Sequence, residues 1–129
     1  MTAKAETIAI ESRFATNFTV CPVKYSNVKY QPTARQAWAD INIVIADSMK
    51  AEIGGGLHRN AGIISVNIYE PVNTGTVFGK EKADLAAAVF RGQQFNGITC
   101  RSPKITEVGE IDEWYVINMN VPFFRDEIF

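Results

Sequence analysis

The chain has 129 residues, 47% of them hydrophobic and 21% charged, with a formal net charge of -1. That size and balance exclude a disordered chain and lead to the expectation of one domain, burying about two thirds of its unfolded surface. Near-neutral charge gives no general affinity for nucleic acid or membrane, no apolar run is long enough for a membrane span, and the N-terminus MTAKAETIAIESR lacks the basic-then-apolar layout of a signal peptide.

From Ala3 to Phe18, Ile10, Phe14 and Phe18 recur every four residues, which predicts a first helix with Thr2 as its cap. Pro22 stops any continuation. Cys21 and Cys100 lack CxxC spacing and read as buried thiols of a protein made in a reducing cytoplasm, not as a disulfide or metal site. Val23 to Thr33 mixes aromatics with Ser, Asn and Pro, a short strand followed by irregular loop.

Trp38 to Ala46 is a strand, with Ile41, Ile43 and Ile45 on one side and Asp40, Asn42 and Val44 on the other. The polar, glycine-rich run that follows is too long for a tight hairpin turn. The flanking strands are therefore expected to extend into a projecting arm with Gly54-Gly55-Gly56 at its tip.

Arg59 to Gly92 is the organising stretch: a strand, a polar turn and an amphipathic helix. Ile64, Val66 and Ile68 alternate with Ser65, Asn67 and Tyr69, and Pro71 stops the strand. Asn73-Thr74-Gly75 supplies turn chemistry, with Thr74 or Thr76 as helix cap. Leu85 with Val89 and Ala86 with Phe90 predict the buried stripe of that helix, and Gly92 its C-terminal stop. Gly75 to Glu81 joins strand to helix but is not a phosphate loop, because only three residues separate its glycines and Glu81 follows Lys80.

Phe95 to Cys100 predicts a short strand around an Asn96-Gly97 turn. Glu113 to Phe124 is the last strand, and Pro122 suggests that its end lies at a sheet edge. Ser102 to Phe129 carries six acids and two bases, net -4, which leaves +3 for the rest of the chain. Glu107 to Glu113 reads either as a solvated acidic loop or as an acidic surface that meets a basic one on an adjacent copy. The apolar end, Ile128-Phe129, is expected to dock on this chain or on another. The order helix, strands, helix, strands predicts an α+β fold: a mainly antiparallel β-sheet, two α-helices packed on one face, and a long projecting hairpin.

Catalytic chemistry has little to work with. His58, the sole histidine, lies beside the glycine run, where an interface or solvated-loop role outweighs a precisely held base. Glu110, Asp112 and Glu113 offer at most weak binding of a hard cation. Trp38, Trp114 and the phenylalanines read as core, since no bases interleave with them as single-strand binding requires.

From Trp38 onward the chain also resembles a known family. The arm ends in Leu57-His58-Arg59, followed by Gly62-Ile63-Ile64-Ser65-Val66-Asn67-Ile68-Tyr69, Pro71, Gly75 and the alanine-rich helix from Ala83 to Phe90. Phe95-Asn96-Gly97 comes next, then Trp114-Tyr115 and Val121-Pro122-Phe123-Phe124-Arg125-Asp126; upstream, only Tyr30-Gln31-Pro32 matches. These motifs, in this order, resemble the tail terminator-like proteins of long-tailed bacteriophages, the group related to the phage lambda tail terminator.

The resemblance implies a non-enzymatic virion protein, without cofactor, that forms a hexameric ring on the head-proximal end of the tail tube. Its partners would be copies of itself, the major tail tube protein and a head-completion or neck protein. DNA would pass through the lumen without specific binding, past an acidic segment, and no membrane is involved. The expected contact residues come from the arm and the tail: Lys50, Glu52, Ile53, Leu57, His58, Arg59, Phe124, Arg125, Asp126, Ile128 and Phe129. Another neck or tail-tube component is the near alternative. A small enzyme or ligand-binding domain is the distant one, resting on His58 and the acidic cluster.

Overall fold

The computed structural model describes residues 2–50 and 57–128, with backbone alone at 46–50, 57, 58, 127 and 128. In chain order the elements are α1 (Ala3–Asn17), β1 (Val23–Tyr25), β2 (Trp38–Lys50), β3 (Leu57–Pro71), α2 (Val77–Phe90), β4 (Gln94–Phe95), β5 (Ile98–Cys100), β6 (Lys104–Ile111) and β7 (Trp114–Ile128). The strands form one sheet in the order β1-β2-β3-β7-β5-β4, with β6 also on β7. Among the described residues only the β1–β2 pair is parallel. The α+β expectation holds, and no described helix is long and apolar enough to cross a membrane.

The core lies between the helices and one sheet face. Alternation places Ala39 and Ile41, Ile64, Val66 and Ile68, and Ile117, Met119, Val121 and Phe123 on that face, all buried. Thr2 caps α1, its Oγ1 accepting from the Ala5 amide at 3.1 Å. From α1, Phe14 stacks on Phe18 with ring centroids 4.6 Å apart and reaches Phe90 of α2 at 6.0 Å.

α2 rides close to the sheet on its small residues. A Cβ on Gly79 would meet Ile117 Cδ1 at 2.7 Å, and Ala83, Ala86, Ala87 and Phe90 are fully buried. Leu85 therefore does not join the stripe expected of it and faces solvent. Thr76 is the N-cap residue of α2, its carbonyl accepting from the Lys80 amide at 3.0 Å but its side chain making no cap bond, and the Thr74 hydroxyl donates to the Pro71 carbonyl at 2.7 Å, closing the turn. Lys82 to Glu70 and Lys80 to Glu107, both 3.0 Å, tie the helix down to β3 and β6.

Two other expectations change. The acidic run is not a loop, because Lys104–Ile111 forms β6, with a register irregularity between Glu107 and Gly109, where Gly109 adopts φ 107°. At Pro122 the last strand does not lie at a sheet edge, although among the described residues its final Asp126–Ile128 pair with β3 alone. Pro122 pairs with Ile63 on one flank; on the other it falls between the β6 ladder, ending at Asn120, and the β5 ladder, beginning at Phe123. Its carbonyl accepts from the Arg101 amide at 2.8 Å, so the same flank takes its missing donor and no β3 bond is lost. Asn96-Gly97 forms the predicted turn with φ values of 47° and 79°.

Cys21 is half-buried and Cys100 buried; both are free thiols, and burial pushes each up to about 11. Gly62 is where the sheet tolerates least. A Cβ there would sit 2.7 Å from both the Val44 carbonyl oxygen and Phe123 Cζ. Gly62→Ala is expected to cost about 1–3 kcal/mol, seen as a lower urea midpoint with an unchanged m-value.

Candidate functional site

Past the helices, three strands continue as a ribbon, which is the projecting arm the sequence leads one to expect. β2 and β3 run beyond Ile45 and Gly62 after a register shift, pairing Ser48 with Asn60, Met49 with Arg59 and Lys50 with His58. β7 follows on the other flank of β3, pairing Arg59 with Asp126, His58 with Glu127 and Leu57 with Ile128. The chain's own ladder thus brings the backbones of Lys50, Leu57, His58, Arg59, Asp126 and Ile128 together in one ribbon, with Arg59 and Asp126 on the same face. The C-terminal strand docks on this chain as far as Ile128. Glu52, Ile53, Phe129 and the Gly54–Gly56 tip lie outside the described residues.

On the ribbon face turned away from the helices, Arg59 and Asp126 form a bidentate pair. Nε donates to Oδ1 at 2.8 Å and a terminal guanidinium nitrogen to Oδ2 at 3.1 Å. The Arg59 guanidinium lies 4.1 Å from the ring centroid of Phe124, and that of Arg101 lies 4.8 Å from the same ring. The hydrogen bond from Arg59 holds the Asp126 carboxyl below its usual range, and the same bond pushes the guanidinium of Arg59 up.

A depressed folded-state value means the pair supports the fold above the ordinary carboxylate range and loses that support as pH falls through the depressed value. In Arg59→Gln the Asp126 titration, followed by carboxyl NMR, is expected to return to about 4. No movement would mean that the pair does not persist in solution.

Arg125 has a different role from its neighbours. It turns to the helix side, where its Nε donates to Glu6 Oε1 of α1 at 2.8 Å; Glu6 is 2% exposed and Arg125 9%. Sequence reasoning placed Arg125 among the contact residues. The parity of β7 carried the signal that separates it from Phe124 and Asp126, but its acid partner is too distant in the chain to be read locally.

The rest of the helix-free face holds a polar network and an aromatic cluster. Asp40 accepts from Asn67 at 3.0 Å and from the Tyr69 hydroxyl at 2.8 Å, while Asn118 donates to Ser65 at 3.0 Å and Asn67 at 2.9 Å. Burial, then the bond to Asp40, pushes the Tyr69 hydroxyl up. Trp38 stacks on Tyr69 at 4.0 Å, with Trp114 edge-on at 6.1 Å and Tyr30 at 5.3 Å. The tryptophans therefore do not belong to the core between helices and sheet, although Trp114 is buried.

Chemically, these arrangements bind and brace. Among the described residues no group of three or more His, Cys, Asp or Glu side chains is placed to hold a metal ion. Glu110 lies on β6, and Asp112 and Glu113 form the turn between β6 and β7. Beside that turn a cleft lined by Arg35, Pro71, Val72, Asn73, Thr74, Glu113 and Trp114 offers one base and one acid, and its only hydroxyl is tied to the Pro71 carbonyl.

A family model described as phage tail terminator protein matches residues 7–123. One solved structure superposes with a TM-score of 0.75, covering 100% of this chain and 98% of the other, at 17% sequence identity. That likeness is one of fold. Comparison with curated proteins returns no match.

Proposed function

The chain belongs to the phage tail terminator protein family, and from that premise we propose that copies of it form a ring on the head-proximal end of the tail tube. A phage tail protein of this family is a structural component of the virion tail. The ring ends tube polymerisation, offers its far side to a head-completion or neck protein, and lets DNA pass without specific binding. It assembles in the host cytoplasm and catalyses no reaction.

The observation that carries this reading is the ribbon. It projects from a helix-backed sheet and gathers Arg59, Phe124 and Asp126 on one surface, a shape suited to contact with another subunit. The polar network of Asp40, Ser65, Asn67 and Asn118 on the helix-free face supports passage of DNA, because amides and a carboxylate do not hold phosphates as a basic wall would.

Particles assembled without this protein are expected to carry overlong tails unattached to heads in electron micrographs. Tails of normal length, or absent tubes, would overturn the terminator assignment. The purified chain is expected to show a concentration-dependent oligomer by light scattering; a monomer at every concentration would reject the ring.

A further inference from the structure

Two opposite edges of the sheet keep unpaired backbone. β1 covers β2 only from Ala39 to Ile41, so the outer edge of β2 has no described partner from Asn42 to Lys50. Across the sheet, β6 pairs with β7 alone, and no described strand covers its other edge from Lys104 to Ile111. Open edges are places where another strand adds, and isolated proteins usually blunt them. These carry exposed apolar side chains instead: Val44 and Ile45 at 57% and 55%, Val108 and Ile111 at 51% and 50%.

The unpaired charges at one end of each edge differ in sign, while the other end of β6 begins with the basic Lys104. Lys24 of β1 and Lys29 just beyond it make no ion pair among the described residues, and neither do Glu110 of β6 and Asp112 of its turn.

We propose that these edges are the two halves of one contact between copies of this chain. The β6 edge of one copy, with Glu110 and Asp112, lies along the β1–β2 edge of the next, with Lys24 and Lys29, so the sheet continues from copy to copy. Two different edges meeting head to tail make a heterologous contact, which closes into a ring when the rotation per copy allows. Main-chain bonds between edges hold the strands, the apolar pairs are covered, and the charges choose the partner edge and suppress pairing of an edge with itself. This inference rests on the ring reading and adds which surfaces meet. It takes the acidic run as a contact with a basic surface on an adjacent copy.

The test is a charge-swap series on the full chain, read by light scattering and negative-stain microscopy. Lys24→Glu with Lys29→Glu leaves both edges acidic, and Glu110→Lys with Asp112→Lys leaves both edges basic. Each pair of substitutions is expected to weaken association by about tenfold or more. Mixing the two variants is expected to restore rings of alternating copies, because every junction then joins opposite charges; all four substitutions in one chain should restore them as well. Rings from native protein that also form from either variant alone, or that fail to return on mixing, would overturn the edge assignment and leave the ring standing. A native chain that never leaves the monomer would overturn both.

Discussion

Arg125→Ala is expected to cost the fold about 3–5 kcal/mol, measured as the loss of unfolding free energy in urea. The cost comes from what is left behind. Glu6 is 2% exposed, and its Oε1 accepts from Arg125 Nε at 2.8 Å. Without the guanidinium, a carboxylate stays buried and uncompensated, and the ordinary total stability is only about 5–15 kcal/mol. Glu6→Ala removes the same bond from the other side and is expected to destabilise the fold as well.

The double variant Glu6→Leu with Arg125→Met is expected to regain most of the loss, because an apolar pair of similar volume needs no charge compensation. A loss below about 1 kcal/mol for Arg125→Ala would mean the pair is hydrated and behaves as a surface bridge. The pair joins the first helix to the base of the projecting ribbon, across nearly the whole chain. Its loss should therefore loosen α1 and the end of β7 together, read as faster amide exchange in both.

Phe14→Ala is expected to be as severe, about 3–5 kcal/mol. Phe14 is fully buried, stacked on Phe18 at 4.6 Å and parallel to Phe90 at 6.0 Å with 7° between the rings. Truncation removes the transfer free energy of the ring and leaves a cavity between α1 and α2, which the two rigid helices cannot close. Phe14→Leu keeps most of the volume and should cost about 1.5 kcal/mol or less. Since α1 is held by this stack, the Glu6–Arg125 pair and the bond from Arg13 Nε to the Val89 carbonyl at 2.9 Å, Phe14→Ala should show α1 amides exchanging well before those of β3. Uniform loss of protection across α1 and β3 would instead make α1 an equal part of one cooperative unit.

Much of the architecture was legible because alternation and helical spacing record the side each element buries. Ile64, Val66 and Ile68 in one strand and Ile10 and Phe14 in one helix report a core face without reference to any neighbour. β6 was not legible: an edge strand with no buried side chain leaves no apolar period to read. Leu85 failed for the opposite reason. Its spacing fits a stripe, but α2 approaches the sheet through Gly79, Ala83 and Ala87, and close approach rotates the larger side chain outward.

The candidate surface divides along the same line. That a polar, glycine-flanked arm projects, and that the apolar tail docks somewhere, follows from composition and from strands too far apart for a tight turn. That the tail docks on this chain's own β3 was decided by a ladder between distant residues, Leu57 with Ile128 and Arg59 with Asp126.

By itself, then, the sequence determined most of the elements other than β6, the face that most of them bury and the uneven distribution of charge. These depend on neighbours a few residues away, and the backbone periods of 2 and 3.6 make that dependence visible. Only the tertiary structure decided that Arg125 meets Glu6, that Asp126 meets Arg59, and that β1 and β6 lie on opposite sides of the sheet. Those outcomes depend on which distant segment arrives alongside, and no local pattern in the chain encodes the arrival.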